Sequence, residues 1–143
     1  NFVDLLASLI NEYNINPNKL RLELTENLLI TNIDETLEKI KELFDLGVTL
    51  SIDDFGTGYS SLAYLKKLPI HELKIDQSFI KDILIDTNDF SIVETILSIG
   101  GKFNLEVIAE GVETKEQHEM LVSMGCSYFQ GYFFAKPIVF SDL

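Results

Sequence analysis

Two hydrophobic periods alternate along this chain, and that alternation restricts the fold more than any other feature. Residues 2–13, FVDLLASLINEY, carry apolar side chains at helical spacing, whereas residues 19–26, KLRLELTE, alternate at period two. The switch then repeats. NIDETLEKIKELFDLG (32–47) reads as a helix, with Asn32 and Glu35 in a capping-box pattern and Gly47 at its stop. VTLSID (48–53) reads as a strand, followed by a DDFGTG turn and a short helix from Ser60 to Leu68. ELKID (72–76) is a third strand and DFSIVETILSIGGKFN (89–104) a helix whose last turn Gly100 and Gly101 weaken. LEVIAE (105–110) is a fourth strand, Thr114 and Gln117 cap a helix running to Met124, and SYFQG (127–131) is a fifth strand. Strand and helix in strict succession imply a parallel sheet with right-handed crossovers. Units of roughly 20 to 35 residues match a (β/α)8 barrel, which needs about 250 residues in full. The 143 residues hold five such units. The expectation is an α/β chain forming a partial (β/α)8 TIM-type barrel, one domain portion over 1–143, with about three strands belonging on the N-terminal side.

Composition narrows the function. Apolar residues make up 46% of a chain that is also 24% charged, which fits strands buried on both faces. The 23 acidic residues against 11 basic ones repel nucleic-acid backbone and anionic membrane, so neither a nucleic-acid polymer nor a direct membrane contact is expected. No apolar run is long enough to cross a bilayer and no signal peptide opens the sequence. Cys126, the sole cysteine, cannot form an internal disulfide and fits a reducing, cytoplasmic setting.

Each strand delivers a polar residue at its C-terminal end. These are Glu23 on the first, Asp53 and Asp54 on the second, Lys74 and Asp76 on the third, Glu110 on the fourth and Gln130 on the fifth. In a parallel barrel that end carries the active site. Four carboxylates converging in one pocket cannot all ionise without a cation. Oxygen ligands point to a hard divalent metal, Mg²⁺ or Mn²⁺, and the isolated His71 and His118 give no zinc-ligand spacing. Two metals about 3.5–4 Å apart are the usual device for phosphodiester hydrolysis, and Asp53 is placed to bridge them. Lys74 among those acids is suited to orient or deprotonate an attacking water. Each residue has a plainer reading on its own: Asp53–Asp54 as a turn cap, Glu110 and Glu113 as first-turn acids, Glu23 and Glu26 as a strand end and helix start. Needing all of them at once, at one end of five strands, makes the plain set poor. Tyr59, Phe129, Tyr132, Phe133 and Phe134 read as core, His71 as a loop residue and His118 as a solvated helix position.

LELTE (22–26), DDFGTGYSS (53–61), LKIDQSFI (73–80), VIAEGVET (107–114) and QGYFFAKP (130–137) resemble, in order, the motifs of the EAL-domain family of bacterial cyclic di-GMP phosphodiesterases. The resemblance implies a modified (β/α)8 barrel that hydrolyses one phosphodiester bond of cyclic di-GMP with Mg²⁺ or Mn²⁺. It implies Glu23, Asp53, Asp54 and Glu110 at the metals, Lys74 holding the attacking water, and Gln130 binding a water on the metal. Glu26 would brace the loop 55–61, and Asp76 and Glu113 would stand behind the ligands. The Glu-Ala-Leu segment and an Asn ligand of that family are not in these 143 residues. The expectations are therefore that the fragment alone is inactive and forms a homodimer or swapped oligomer. Sensor or GGDEF domains would lie upstream and tether the whole to the inner membrane. A catalytically silent EAL receptor is the alternative, and a barrel lyase of the enolase type a weaker one.

Overall fold

A computed structural model describes residues 1–26, 28, 33–58 and 62–139. It divides into two compact units, Asn1–Leu73 and Lys74–Leu143.

The first unit opens with helix α1 (Phe2–Glu12), capped by Asn1, whose side chain accepts from Val3 N–H at 3.1 Å. Val3 and Ile10, two turns apart, are its buried positions. A single 3₁₀ turn (Pro17–Lys19) leads into strand β1 (Arg21–Thr25). Helix α2 (Ile33–Asp45) buries Ile40 and Leu43, and the chain reverses at Gly47 (φ +86°) into strand β2 (Thr49–Phe55). β1 and β2 are parallel in the register Glu23 to Ser51 and Thr25 to Asp53. Asn32, of the expected capping box, lies outside the described residues; Glu35 pairs with Lys39 at 2.6 Å. Helix α3 (Leu62–Leu65) ends before the expected Leu68; Tyr59, Ser60 and Ser61 lie outside the described residues. Strand β3 (Glu72–Ile75) is buried at every position, and the division between the units falls inside it.

The second unit continues from β3 into a five-residue helix, α4 (Gln77–Lys81), then α5 (Thr87–Phe103), β4 (Glu106–Glu110), α6 (Lys115–Ser123) and β5 (Tyr128–Gln130). Strands stand side by side in chain order in each unit: β1, β2, β3 in the first and β3, β4, β5 in the second. β4 and β5 are parallel, with Glu110 beside Gln130. Asp86 caps α5 by accepting from Asn88 N–H at 2.7 Å, and Asn104 closes it in the left-handed region (φ 56°). Burial pushes the Cys126 thiol up. Among the described residues no helix is long and apolar enough to cross a membrane.

The two glycines in α5 differ in purpose. A Cβ at Gly100 would lie 2.1 Å from Val107 Cγ2 of β4, whereas one at Gly101 meets nothing within 4 Å. Close approach of helix to strand therefore requires the first glycine and not the second. Gly100→Ala is expected to destabilise by about 1–3 kcal/mol, because the β-branched Val107 has no spare rotamer. Gly101→Ala is expected to stabilise by about 1 kcal/mol through helix propensity alone. Urea unfolding of the two variants checks the contrast.

Three expectations about the second unit change. Tyr132, Phe133 and Phe134 are not core: Tyr132 is 58% exposed and Phe134 50%. They follow β5 in a turn beyond the sheet, where His118 of α6 packs against Phe133 and Phe134 but leaves both exposed. His118 is not simply solvated, because its ring packs 4.6 Å from Phe129 and 5.4 Å from Phe134. Asp76, two residues on from Lys74 and so expected to face the same way, lies one residue past β3, where strand alternation no longer applies.

Candidate functional site

In the first unit, β1 and β2 set the acids. Their register places Arg21, Glu23, Thr25, Thr49, Ser51 and Asp53 on one face of the ladder. Consecutive strand residues point to opposite faces, so Asp54 should turn away from Asp53. It does not. Asp54 has φ +54°, and a carboxylate oxygen of each aspartate lies within 4.8 Å of the other. Aspartate tolerates that left-handed backbone, but holding it costs about 1–3 kcal/mol. Two anions at this separation also repel. Backbone strain and like charge are thus both spent on bringing two hard oxygen donors together.

The loop after β2 is held by Glu26. Its carboxylate is 2% exposed. One oxygen, Oε2, accepts from Gly56 N–H at 3.0 Å and from Gly58 N–H at 2.9 Å, and the Glu26 N–H donates to Asp53 O at 3.2 Å. Sequence reasoning did not anticipate the Arg21 guanidinium paired with the buried carboxylate of Glu72. Nor did it anticipate the buried hydroxyl of Ser51, which has no hydrogen-bond partner among the described residues. The available signal was charge at alternate positions of otherwise apolar strands.

In the second unit, β3 and β4 set an ion pair. Lys74 Nζ lies 2.7 Å from Glu110 Oε1, with side-chain exposures of 6% and 16%. Glu110 ends β4, and Gln130 ends β5 beside it with its carbonyl accepting from Val112 N–H at 3.1 Å. The Asp76 carboxylate caps α4 by accepting from the Ser78 N–H at 2.9 Å and from the Ser78 hydroxyl. Glu113 is exposed, and its N–H donates to Gln117 Oε1 at 2.9 Å. The structure thus brings together Asp53 with Asp54 in one unit and Lys74 with Glu110 in the other. Glu23 lies on the same face as Asp53, two residues short along the neighbouring strand.

The EAL domain profile matches residues 1–137. The chain is 43% identical over 136 residues to a bifunctional diguanylate cyclase/cyclic di-GMP phosphodiesterase, MucR of Pseudomonas aeruginosa, covering 95% of this chain and 20% of that protein. The structure of the MucR phosphodiesterase in complex with cyclic di-GMP superimposes with a TM-score of 0.94 at 42% identity, covering 98% of this chain and 57% of that one. A manganese and cyclic di-GMP complex of BlrP1 from Klebsiella pneumoniae superimposes with a TM-score of 0.87 at 34% identity, covering 94% of this chain and 34% of that one. The chain spans about a fifth of the length of the curated relatives it matches.

Proposed function

We propose, because this chain belongs to the EAL domain family, that it supplies part of a metal-dependent cyclic di-GMP phosphodiesterase. The observation that carries the reading is the left-handed Asp54, which sets its carboxylate against that of Asp53. An all-oxygen acidic pair of this kind suits a hard divalent cation such as Mg²⁺ or Mn²⁺ better than a softer metal. Similarity to the MucR and BlrP1 complexes supports the substrate, and BlrP1 supports a divalent metal.

In this reading Glu23, Asp53, Asp54 and Glu110 hold the cations. The chemistry that a bound divalent cation supplies is charge neutralisation at the phosphodiester and acidification of a water. Lys74 donates from Nζ to the attacking water and fixes its line of approach, and Glu110 fixes Lys74. Gln130 orients a second water through its amide. Glu26 keeps the loop after β2, and with it Asp53, in place; Asp76 and Glu113 shape the ends of the segments leaving β3 and β4. The 143 residues are the C-terminal portion of one EAL domain, and a homodimer and upstream regulatory domains belong to the same proposal.

The test is product analysis. The full-length gene product containing this chain is expected to convert cyclic di-GMP to the linear dinucleotide with Mn²⁺, and to stop when the metal is chelated. Glu23→Ala is expected to reduce turnover by at least about 100-fold, as loss of a group needed for electrostatic stabilisation does. The 143-residue chain by itself is expected to stay near background. Tight binding of cyclic di-GMP without product would favour the silent receptor instead.

A further inference from the structure

Gln117 is a buried side chain with every hydrogen-bonding position in use. It is 6% exposed. Its Oε1 accepts from Glu113 N–H at 2.9 Å and Thr114 N–H at 3.1 Å. Its Nε2 donates to Ile80 O and Lys81 O, both at 3.2 Å. An amide has two acceptor sites and two donors, so this set is full, and the two carbonyls fix which end is nitrogen. The acceptor half belongs to the capping box of α6, in which Thr114 Oγ1 accepts from Gln117 N–H at 3.2 Å. The donor half does something a cap does not require. It ties the first turn of α6 to the C-terminal end of α4, some 36 residues earlier in the chain.

Those two helices follow the two strands that carry Lys74 and Glu110. α4 begins three residues after Lys74, and residues 111–114 run directly from Glu110 into α6. The same two segments are pressed together at their near end. Gly111 has φ +71°, and a Cβ there would sit 2.6 Å from Gln77 Cβ. Contact at Gly111 and the amide at Gln117 hold the exits of β3 and β4 at two points, close to where the ion pair of 2.7 Å forms.

We propose that Gln117 is a positioning residue: by clamping the segment that leaves β4 onto the helix that leaves β3, it fixes Glu110 against Lys74. The catalytic consequence rests on the phosphodiesterase reading above; the structural content does not.

Two variants separate the clamp from the cap. Gln117→Met keeps the volume and removes all four bonds. Gln117→Glu keeps the two acceptor bonds but turns the donor half into an oxygen facing two carbonyls. Each is combined with Glu110→Gln in a cycle of urea unfolding measured on the full-length gene product. If the clamp sets the pair, the penalty for Glu110→Gln shrinks in both backgrounds. The unfolding constant of each double variant then departs from the product of the singles by at least about threefold. Hydrogen exchange at Glu113 and Thr114 is expected to quicken in Gln117→Met relative to α5. In the full-length gene product both variants are expected to lower kcat about tenfold or more with KM nearly unchanged, since misplacing a catalytic group penalises the chemical step. Additive cycles, or a Gln117→Glu variant indistinguishable from the parent, would overturn the proposal. If Gln117→Met fails to fold, the Gln117→Glu cycle decides alone. A full-length parent without hydrolysis sinks the phosphodiesterase reading and leaves the cycle as the test of the clamp.

Discussion

On the phosphodiesterase reading, Lys74→Met in the full-length gene product is expected to lower cyclic di-GMP turnover by about 1,000-fold, within the range for losing a positioned proton-handling group, while costing less stability than Glu110→Gln. The reason is the asymmetry of the ion pair. Lys74 is the deeper partner at 6% exposure and Glu110 the shallower at 16%. Methionine replaces the lysine stem with an apolar chain of similar length, and the carboxylate left behind lies nearer water. Glu110→Gln does the opposite, leaving the deeper ammonium without its 2.7 Å carboxylate. That variant is expected to lose about 3 kcal/mol, as breaking a buried pair from one side does. The double variant Lys74→Met/Glu110→Leu should lose less stability than the two single losses added together and regain no activity, because the two residues share one contact. Urea unfolding and product chromatography on the four proteins check the split. Equal stability losses for Lys74→Met and Glu110→Gln would show that depth does not set the penalty.

How much of this was legible beforehand depends on which physical signal carried each part. Strands were readable because apolar runs such as Val48-Leu50-Ile52 alternate or continue in a way helices do not. The expected strands at 48–53 and 105–110 differ from the observed Thr49–Phe55 and Glu106–Glu110 by two residues at most. The parallel order followed from the helices between them. α4 was not readable from periodicity, since five residues make barely more than one turn. Its only trace is Asp76 placed two before Ser78, an N-cap in a stretch that looks like the end of a strand. The aromatic residues 132–134 misled because apolarity says what a side chain prefers, not whether a neighbour exists to cover it. At the site, residue types were legible and their geometry was not. Alternation predicts that Asp53 and Asp54 diverge, and only the left-handed backbone at Asp54 reverses that. Gln117 was visible as a cap; its bonds to Ile80 and Lys81 join positions too far apart in sequence for any local pattern to reveal.

Glu26→Ala is expected to cost about 3 kcal/mol, because it removes two hydrogen bonds to a buried carboxylate, from Gly56 N–H and Gly58 N–H, each worth roughly 1.5 kcal/mol at the low end. The effect should not stop at the loop. Gly56 and Gly58 are bound to Glu26 from one side, and Asp53 O accepts from Glu26 N–H on the other. Asp54 sits between these anchors, in a backbone state that persists only while its surroundings impose it. Releasing the glycines lets Asp54 relax toward ordinary strand geometry, which swings its carboxylate away from Asp53. Mn²⁺ affinity should then fall although no metal ligand has been changed. Glu26→Gln separates hydrogen bonding from charge. Both glycine bonds end on a single oxygen, Oε2, so one amide carbonyl can accept both. At these two bonds glutamine gives up the charge assistance, about half the strength of each. The expected order in urea unfolding and in Mn²⁺ titration is parent, then Glu26→Gln, then Glu26→Ala well below. If glutamine and alanine prove equally damaging, the negative charge rather than the paired glycine contacts holds the loop. Asp54 would then owe its conformation to something other than the Glu26 bridge.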